Sequence, residues 1–436
     1  MLKDGTALGG EDARQIWAIL AEEGKAPTEL AFAGQVLPAY SVGIDEWMNR
    51  LSSTYLRDLC RKRAHFKMVI APYGGGKTHF LMSLGSRALE EGYAVSYIAC
   101  TPGVALNNFF ELYRAFVRSI QLPGDDRPGL NRFLRKVVQN KMKQIQEAQA
   151  PDPEMAFARW LETVAREDHQ DSAFGRVVAE ALRSENNPAD TIAGDAPVRW
   201  LRGEIDTLTR EELAALRLAK YPTKDRNELG RNLTISVARF AREAGIFGVV
   251  ILLDEAETMF NATGKALLRV LSAMRVMLDL PQGIPGGVPI FGVFSAVPDV
   301  LEQLTKYPAL EQRMSVRGVS FEEGSDYAPQ LHLDKVETQE NLLGLIGRRL
   351  VGLGQLATGH DFNRTIQDPN VALLAHVAAE RNLQIDARRL FVKTWVNVLD
   401  TQVKLGERIF TEEELSDRYQ GFFQGLRKSE QKESEP

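Results

Sequence analysis

Eight residues in a row, Ala71-Pro72-Tyr73-Gly74-Gly75-Gly76-Lys77-Thr78, bring three glycines, a lysine and a hydroxyl together. That combination suits the binding of phosphate. Glycines let backbone N–H groups curl around phosphate oxygens, and a following helix N-terminus adds positive dipole. Lys77 would reach the β- and γ-phosphates, and the Thr78 hydroxyl would hold Mg²⁺. The context fits, because the apolar run Met68-Val69-Ile70 precedes the glycines and the helix-like run His79-Phe80-Leu81-Met82 follows them. Ala71 departs from the usual pattern, which opens with glycine. Alanine fits there only if the backbone keeps to common φ/ψ values.

A second segment supplies acids. Phe247-Gly248-Val249-Val250-Ile251-Leu252-Leu253 is a continuous apolar run, the mark of a strand buried on both faces of a parallel sheet. It ends in Asp254-Glu255. Charges at the end of a buried strand are costly unless they are paired or at work. Asp254 is expected to bind the Mg²⁺ shell and Glu255 to act as general base on an attacking water. Glu257 competes for the base role, and Glu255 is preferred because it directly follows Asp254.

The elements that must position these groups can be read along the chain. Glu11 to Glu23 has the apolar spacing of an amphipathic helix, with Ile16, Trp17, Ile19 and Leu20 on one face. An extended stretch containing Pro and Gly is expected to follow, to about Gly43. Asp45 to Lys62 reads as helical. Strands are expected at Ala94 to Ala99, at Pro289 to Phe294 (ending in Ser295) and at Gln330 to Leu333. Between Asn107 and about Gly245 the pattern is nearly all helical, and Thr209-Arg210-Glu211-Glu212 opens one helix as a capping box. A helix from about Lys265 to Leu278 precedes a Pro/Gly turn at Pro281 to Gly287. Further helices are expected at Glu337 to Leu353, Asp368 to Glu380 and Asp386 to Val403, before a frayed polar tail from Lys428.

Strands alternating with helices argue for α/β architecture. The expected fold is a P-loop NTPase of AAA+-like type, a parallel sheet with a large helical insertion and a C-terminal helical lid. The expected domains are an N-terminal helical segment (1–62), an ATPase core (63–335) with its insertion at about 107–245, a lid (336–425) and a flexible tail (426–436). Three further positions suit such an ATPase. Ser295, at a strand end, would bond the attacking water or the γ-phosphate. Arg313, in Pro308-Ala309-Leu310-Glu311-Gln312-Arg313-Met314, lies in a segment that resembles the one where AAA+ proteins carry an arginine finger, acting in cis or in trans. Arg388, in Asp386-Ala387-Arg388-Arg389-Leu390, resembles the lid arginine that touches the γ-phosphate, with Arg389 as the alternative.

Composition bounds the partners. Lys and Arg number 53 and Asp and Glu 58, a formal net charge of −5, so no global positive field draws the chain to nucleic acid. Contact with DNA would need a local patch. Two basic segments qualify: Arg57, Arg61, Lys62 and Arg63, and the run Arg132, Arg135, Lys136, Lys141 and Lys143. The two cysteines, Cys60 and Cys100, have neither metal spacing nor a disulfide framework, which fits a reducing cytoplasm. No apolar run approaches membrane-spanning length.

The glycine loop continuing into His79-Phe80-Leu81, the segments Trp200-Leu201-Arg202-Gly203-Glu204 and Asn227-Glu228-Leu229-Gly230-Arg231-Asn232-Leu233, then Leu253-Asp254-Glu255-Ala256-Glu257 and Tyr307-Pro308-Ala309-Leu310 form a set. With Ala13-Arg14-Gln15-Ile16 and Val42-Gly43-Ile44-Asp45, the set resembles the ATP-binding proteins of bacterial phage-exclusion (BREX) systems, most closely the BrxD type. The resemblance implies an AAA+-like ATPase using ATP and Mg²⁺, with a helicase-like protein, a methyltransferase or other defence components as companions. Adenine rests on this resemblance; no guanine-reading Asn-Lys-x-Asp motif occurs. Three readings follow: an ATP-hydrolysing homo-oligomer that acts on DNA or loads a partner onto it, a monomeric nucleotide-gated switch that presents the insertion to a partner, and an ATP-bound scaffold. A P-loop kinase fits poorly with Asp254-Glu255 and a helical lid.

Overall fold

Five short strands order everything else: β1 (His65–Ile70), β2 (Ala94–Ala99), β3 (Val249–Asp254), β4 (Ile290–Ala296) and β5 (Gln330–His332). They form one sheet in the order β2-β3-β4-β1-β5, and every pairing is parallel. The structure is a computed structural model that describes residues 8–190, 194–283, 287–315, 318–334, 338–380 and 387–433.

Parallel strands joined by crossovers bury both faces, which suits the apolar run of β3 up to Asp254. Alternate side chains of β3 enter different cores. Val249, Ile251 and Leu253 join one cluster, and Val250 and Leu252 join the other. The first cluster is completed by the helices between β2 and β3, the second by the N-terminal helices, the helix Lys77–Glu90 and the C-terminal helices. Each fully buried Leu or Phe here contributes about 1.5–3 kcal/mol.

The expected insertion is helical. Phe109–Ser119 and Arg226–Phe240 pack against each other, and Leu130–Glu147, Pro153–Arg166 and Phe174–Asn186 pack among themselves. The capping box at Thr209 is formed, with Thr209 accepting from the Glu212 N–H and Glu212 accepting from the Thr209 N–H.

Three expectations need correction, at the stretch before Gly43, the Pro/Gly turn and the C-terminal tail. The stretch before Gly43 is not extended. Leu30–Tyr40 is a helix that carries Pro38 near its C-terminal end at the loss of one backbone hydrogen bond, offset by burial of Leu30, Ala33, Val36, Leu37 and Tyr40 along one side. The run from Asp45 to Lys62 is helical as expected, and Ser52–Leu59 within it is π-helical. The helix after Glu257 continues to Gly283, through the start of the expected Pro/Gly turn, whose residues 284–286 lie outside the described residues. The helix Glu412–Glu433 likewise runs into the segment expected to fray.

The N-terminal helix is also packed with the C-terminal helices. The helix Gly10–Glu22 lies against Gln339–Thr358 and Ala387–Leu405, and the Trp17 indole donates to Asp400 at 2.7 Å. Gly354 admits this indole, since a Cβ there would sit 2.8 Å from it.

Candidate functional site

β1, β3 and β4 end together. Ile70 is level with Ala296, and Leu253 with Phe294, so the segments after these strands meet at one sheet edge. In open parallel sheets that edge is where ligands bind.

The glycine loop leaves β1 through Ala71, which is fully buried and extends the sheet by donating its N–H to Ala296 at 3.2 Å. Ala71 therefore belongs to the strand and does not enter the turn. The turn itself is carried by Gly74 and Gly76, at φ 65° and 89°. Gly75 is required for a different reason. A Cβ there would lie 2.7 Å from the Ala71 Cβ and 2.8 Å from the Pro72 carbonyl.

Lys77 opens the helix Lys77–Glu90 and turns back over the loop. Its Nζ donates to the Ala71 and Pro72 carbonyls at 3.1 and 3.2 Å and stands 3.9 Å from Glu257. Glu257 is buried, and one of its carboxylate oxygens has no hydrogen-bond partner among the described residues. Burial raises its pKa, and the Lys77 charge partly offsets that.

Asp254 is the hub of the acidic end. Its Oδ2 accepts from Thr78 at 2.6 Å and from the Tyr97 hydroxyl at 2.8 Å. Its Oδ1 accepts from Ser295 and from the Glu255 N–H, the latter at 3.0 Å. Four donors on one buried carboxylate fix its orientation. Ser295, one residue before the end of β4, also accepts from the Glu255 N–H at 3.2 Å. Glu255 turns outward at φ 54°, a left-handed conformation that costs a non-glycine residue about 1–3 kcal/mol. The result is a buried Asp254 with an exposed Glu255 beside it.

Arg388 reaches the loop from the other side. It sits at the start of the helix Ala387–Leu405, donates to the Gly75 carbonyl at 2.5 Å and to Leu333 at 3.1 Å, and is half-buried. The neighbouring Arg389 points elsewhere, donating to the Glu23 carbonyl at 2.9 Å. His79 accompanies Arg388; it is hydrogen-bonded to Ser41 at 2.7 Å, and burial together with the Arg388 charge pushes its pKa down to about 4.

Of the residues expected from sequence, Gly74, Gly75, Gly76, Lys77, Thr78, Asp254, Glu255, Ser295 and Arg388 converge here. Arg313 does not: it is held by Asp279 at 2.7 Å and by the Ala309 carbonyl at 2.8 Å. Tyr97 escaped the sequence reading. Nothing in Ala-Val-Ser-Tyr-Ile-Ala marks it; its role follows from the pairing of β2 with β3.

The arrangement fits nucleotide and metal. The glycine cradle leaves no space for a Cβ at Gly75, and Lys77 donates to carbonyls and stands near a carboxylate, partners a phosphate would outcompete. Among the described residues no group of three or more His, Cys, Asp or Glu is placed to hold a metal ion. One hydroxyl and one carboxylate, Thr78 and Asp254, suit Mg²⁺, which takes most of its ligands from water and phosphate.

The basic segments are less open than their sequence implies. Arg57 pairs with Glu91 at 2.7 Å, Lys62 with Asp58, Arg135 with Glu185 at 2.8 Å and Lys143 with Glu147 at 3.7 Å. No helix among the described residues is long and apolar enough to cross a membrane.

No curated protein and no solved structure matches the chain. A family model does, over residues 34–416, and it is that of the BREX system ATP-binding proteins BrxC/D. The match takes in the glycine loop, the Asp254 hub, the helical insertion and the helix bearing Arg388. The chain belongs to the BrxC/D family of BREX system ATP-binding proteins.

Proposed function

We propose that the chain is a Mg²⁺-dependent ATPase of AAA+-like design, of the BrxD type, serving phage defence in the cytoplasm by acting on DNA or loading a DNA-processing partner. The observation that carries this reading is the hub in which Asp254 joins Thr78 of the loop helix to Ser295 of β4. Bound ATP and Mg²⁺ would supply the phosphoanhydride and the charge that neutralises it. Gly74, Gly75 and Gly76 offer backbone N–H groups to phosphate, and Lys77 leaves the Ala71 and Pro72 carbonyls to meet it. Thr78 and Asp254 would hold the metal. Glu255, exposed beside them, takes the proton of the attacking water, and Ser295 fixes the backbone from which Glu255 projects. Arg388 ties the lid to the loop through Gly75, so the lid senses the state of the loop.

Arg313 is proposed as a finger for a neighbouring copy. It is one-third exposed, and within the chain it meets Asp279 rather than the loop. A second reading, a monomeric nucleotide-gated switch that presents the insertion to a helicase, a methyltransferase or another defence protein, draws on the same Asp279 pair. An arginine held by its own chain is not poised for another.

Light scattering after size-exclusion chromatography tests the two, using wild type and Glu255→Gln with and without ATP-Mg²⁺ and duplex DNA. A larger assembly formed only with ATP supports the motor or loader; a monomer under every condition supports the switch. Lys77→Ala should abolish ATP binding, and retained wild-type affinity would sink the whole assignment.

A further inference from the structure

A second site lies in the helical insertion, away from the glycine loop. Between the helices Phe109–Ser119 and Leu130–Glu147 and the turn after Leu201 is a half-open cavity of about 460 Å³. Its walls include Arg114, Arg118, Arg132 and Arg202 against one carboxylate, Glu204. Four guanidinium groups around one cavity stand out in a chain of net charge −5.

The arginines are held in place to different degrees. Arg114 is fixed by Glu111 at 2.9 Å, Arg202 donates to Asn131 at 2.8 Å and Arg132 stands 4.0 Å from Asp125. Arg118 is exposed and makes no ion pair or side-chain hydrogen bond with another described residue. The helix Leu130–Glu147 starts at the same cavity, with neither a side-chain cap nor an acidic residue in its first turn. Its first N–H groups and its dipole therefore add to the positive field.

Two sequence segments without a part in the nucleotide site build this one. Trp200-Leu201-Arg202-Gly203-Glu204 contributes Arg202 and Glu204, and Gly203 lets the turn close onto Arg114, whose Cγ lies 2.6 Å from where a Cβ would be. Gly230, in the segment Asn227 to Leu233, lets Arg226–Phe240 pack directly on the backbone of Phe109 and Phe110, where a Cβ would come within 2.5 Å of the Phe109 carbonyl. That packing sets the helix bearing Arg114 and Arg118.

We propose that this cavity binds a small polyphosphate-bearing ligand of nucleotide size. The volume suits such a ligand rather than a single ion. Planar guanidinium forks match phosphate bidentately. A nucleic-acid backbone needs an open, continuous basic track, and the neighbouring cations Arg135 and Lys143 are paired with carboxylates. The proposal is independent of the glycine-loop reading.

Calorimetric titration of the full chain tests it, with Lys77→Ala in the background to remove the loop site. The probes are inorganic tripolyphosphate, ADP and a 20-nucleotide oligodeoxythymidylate. One tripolyphosphate or ADP per chain is expected to bind, and adding Arg118→Ala or Arg202→Ala should weaken it roughly ten- to hundredfold. Arg118→Ala removes an exposed side chain that makes no ion pair or side-chain hydrogen bond with another described residue, so an unchanged thermal unfolding curve beside lost binding separates this effect from misfolding. Tighter binding of ADP than of tripolyphosphate would identify a nucleotide, and equal binding a bare polyphosphate. Three results would overturn the proposal: no binding of either small probe, binding indifferent to both arginine substitutions, or binding of the oligonucleotide alone. Were Lys77→Ala to leave the loop site intact, a second ADP insensitive to Arg118 would reveal it, separating that failure from this one.

Discussion

Tyr97→Phe removes one oxygen and leaves the ring. In the structure that oxygen donates to Asp254 Oδ2 at 2.8 Å, the same atom that accepts from Thr78. Burial and the Asp254 charge raise the Tyr97 pKa far beyond its ordinary value, so the hydroxyl stays a donor at any working pH. A hydrogen bond to a buried carboxylate contributes about 1.5–3 kcal/mol. Tyr97 is half-buried and water can partly replace it, so the lower end applies. The expected loss, about 1.5 kcal/mol, lowers Tm on the order of 1–2 °C for a chain of this length. The substitution also frees a lone pair on the oxygen that would face the metal. Thermal unfolding followed with and without ATP-Mg²⁺ should therefore show a less stable free protein with at least the wild-type gain on adding ATP-Mg²⁺. An unchanged Tm without nucleotide would refute the hub. So would an unchanged Tm combined with a lost response to ATP-Mg²⁺, which would make Tyr97 a ligand contact instead of a support.

Three other outcomes follow from the site. Gly75→Ala places a methyl group 2.7 Å from the Ala71 Cβ and 2.8 Å from the Pro72 carbonyl, so the cradle must shift. Overpacking of this kind costs about 1–3 kcal/mol, and ATP affinity should fall about tenfold, with partial recovery on adding Ala71→Gly; wild-type affinity in the single variant would reject a tight cradle. Arg313→Ala should leave ATP binding intact and slow hydrolysis by about 10³, and unchanged turnover would remove the finger. His79 gives a pH signature. Its pKa is about 4 when folded and 6.5 ordinarily, so the unfolded chain takes up the proton first as pH falls. The His79 contribution is present above pH 6.5, declines by up to about 1.4 kcal/mol per unit below it and is exhausted near pH 4. Stability curves of wild type and His79→Gln should converge over that window; parallel curves would place His79 in solvent.

Much of this was legible in the chain because it is local. A glycine loop between an apolar run and a helix depends on neighbours in sequence, and so does an acid pair closing a buried strand. The capping box at Thr209 is likewise a matter of four consecutive residues. Periodicity failed where packing overrode punctuation. Gly34 and Pro38 suggested an extended stretch, yet Leu30–Tyr40 is helical because its apolar side is buried and Gly34 allows close approach to Ser86. The choice between Arg388 and Arg389 was undecidable from adjacent identical residues. The helix bearing them has a phase that only docking sets, and it aims Arg388 at Gly75 and Arg389 at Glu23.

By itself the sequence determined the α/β class and the family and singled out the candidates for phosphate and metal chemistry, since each depends on residue type at short spacing. Tertiary structure alone decided that Tyr97 supports Asp254, that Arg313 is paired with Asp279, and that the N-terminal helix packs on the C-terminal helices. It also decided that four arginines from three separate segments face one cavity. The physical reason is the same in each case. These relations join residues far apart along the chain, and what brings them together is strand pairing and helix packing, whose geometry no local pattern encodes.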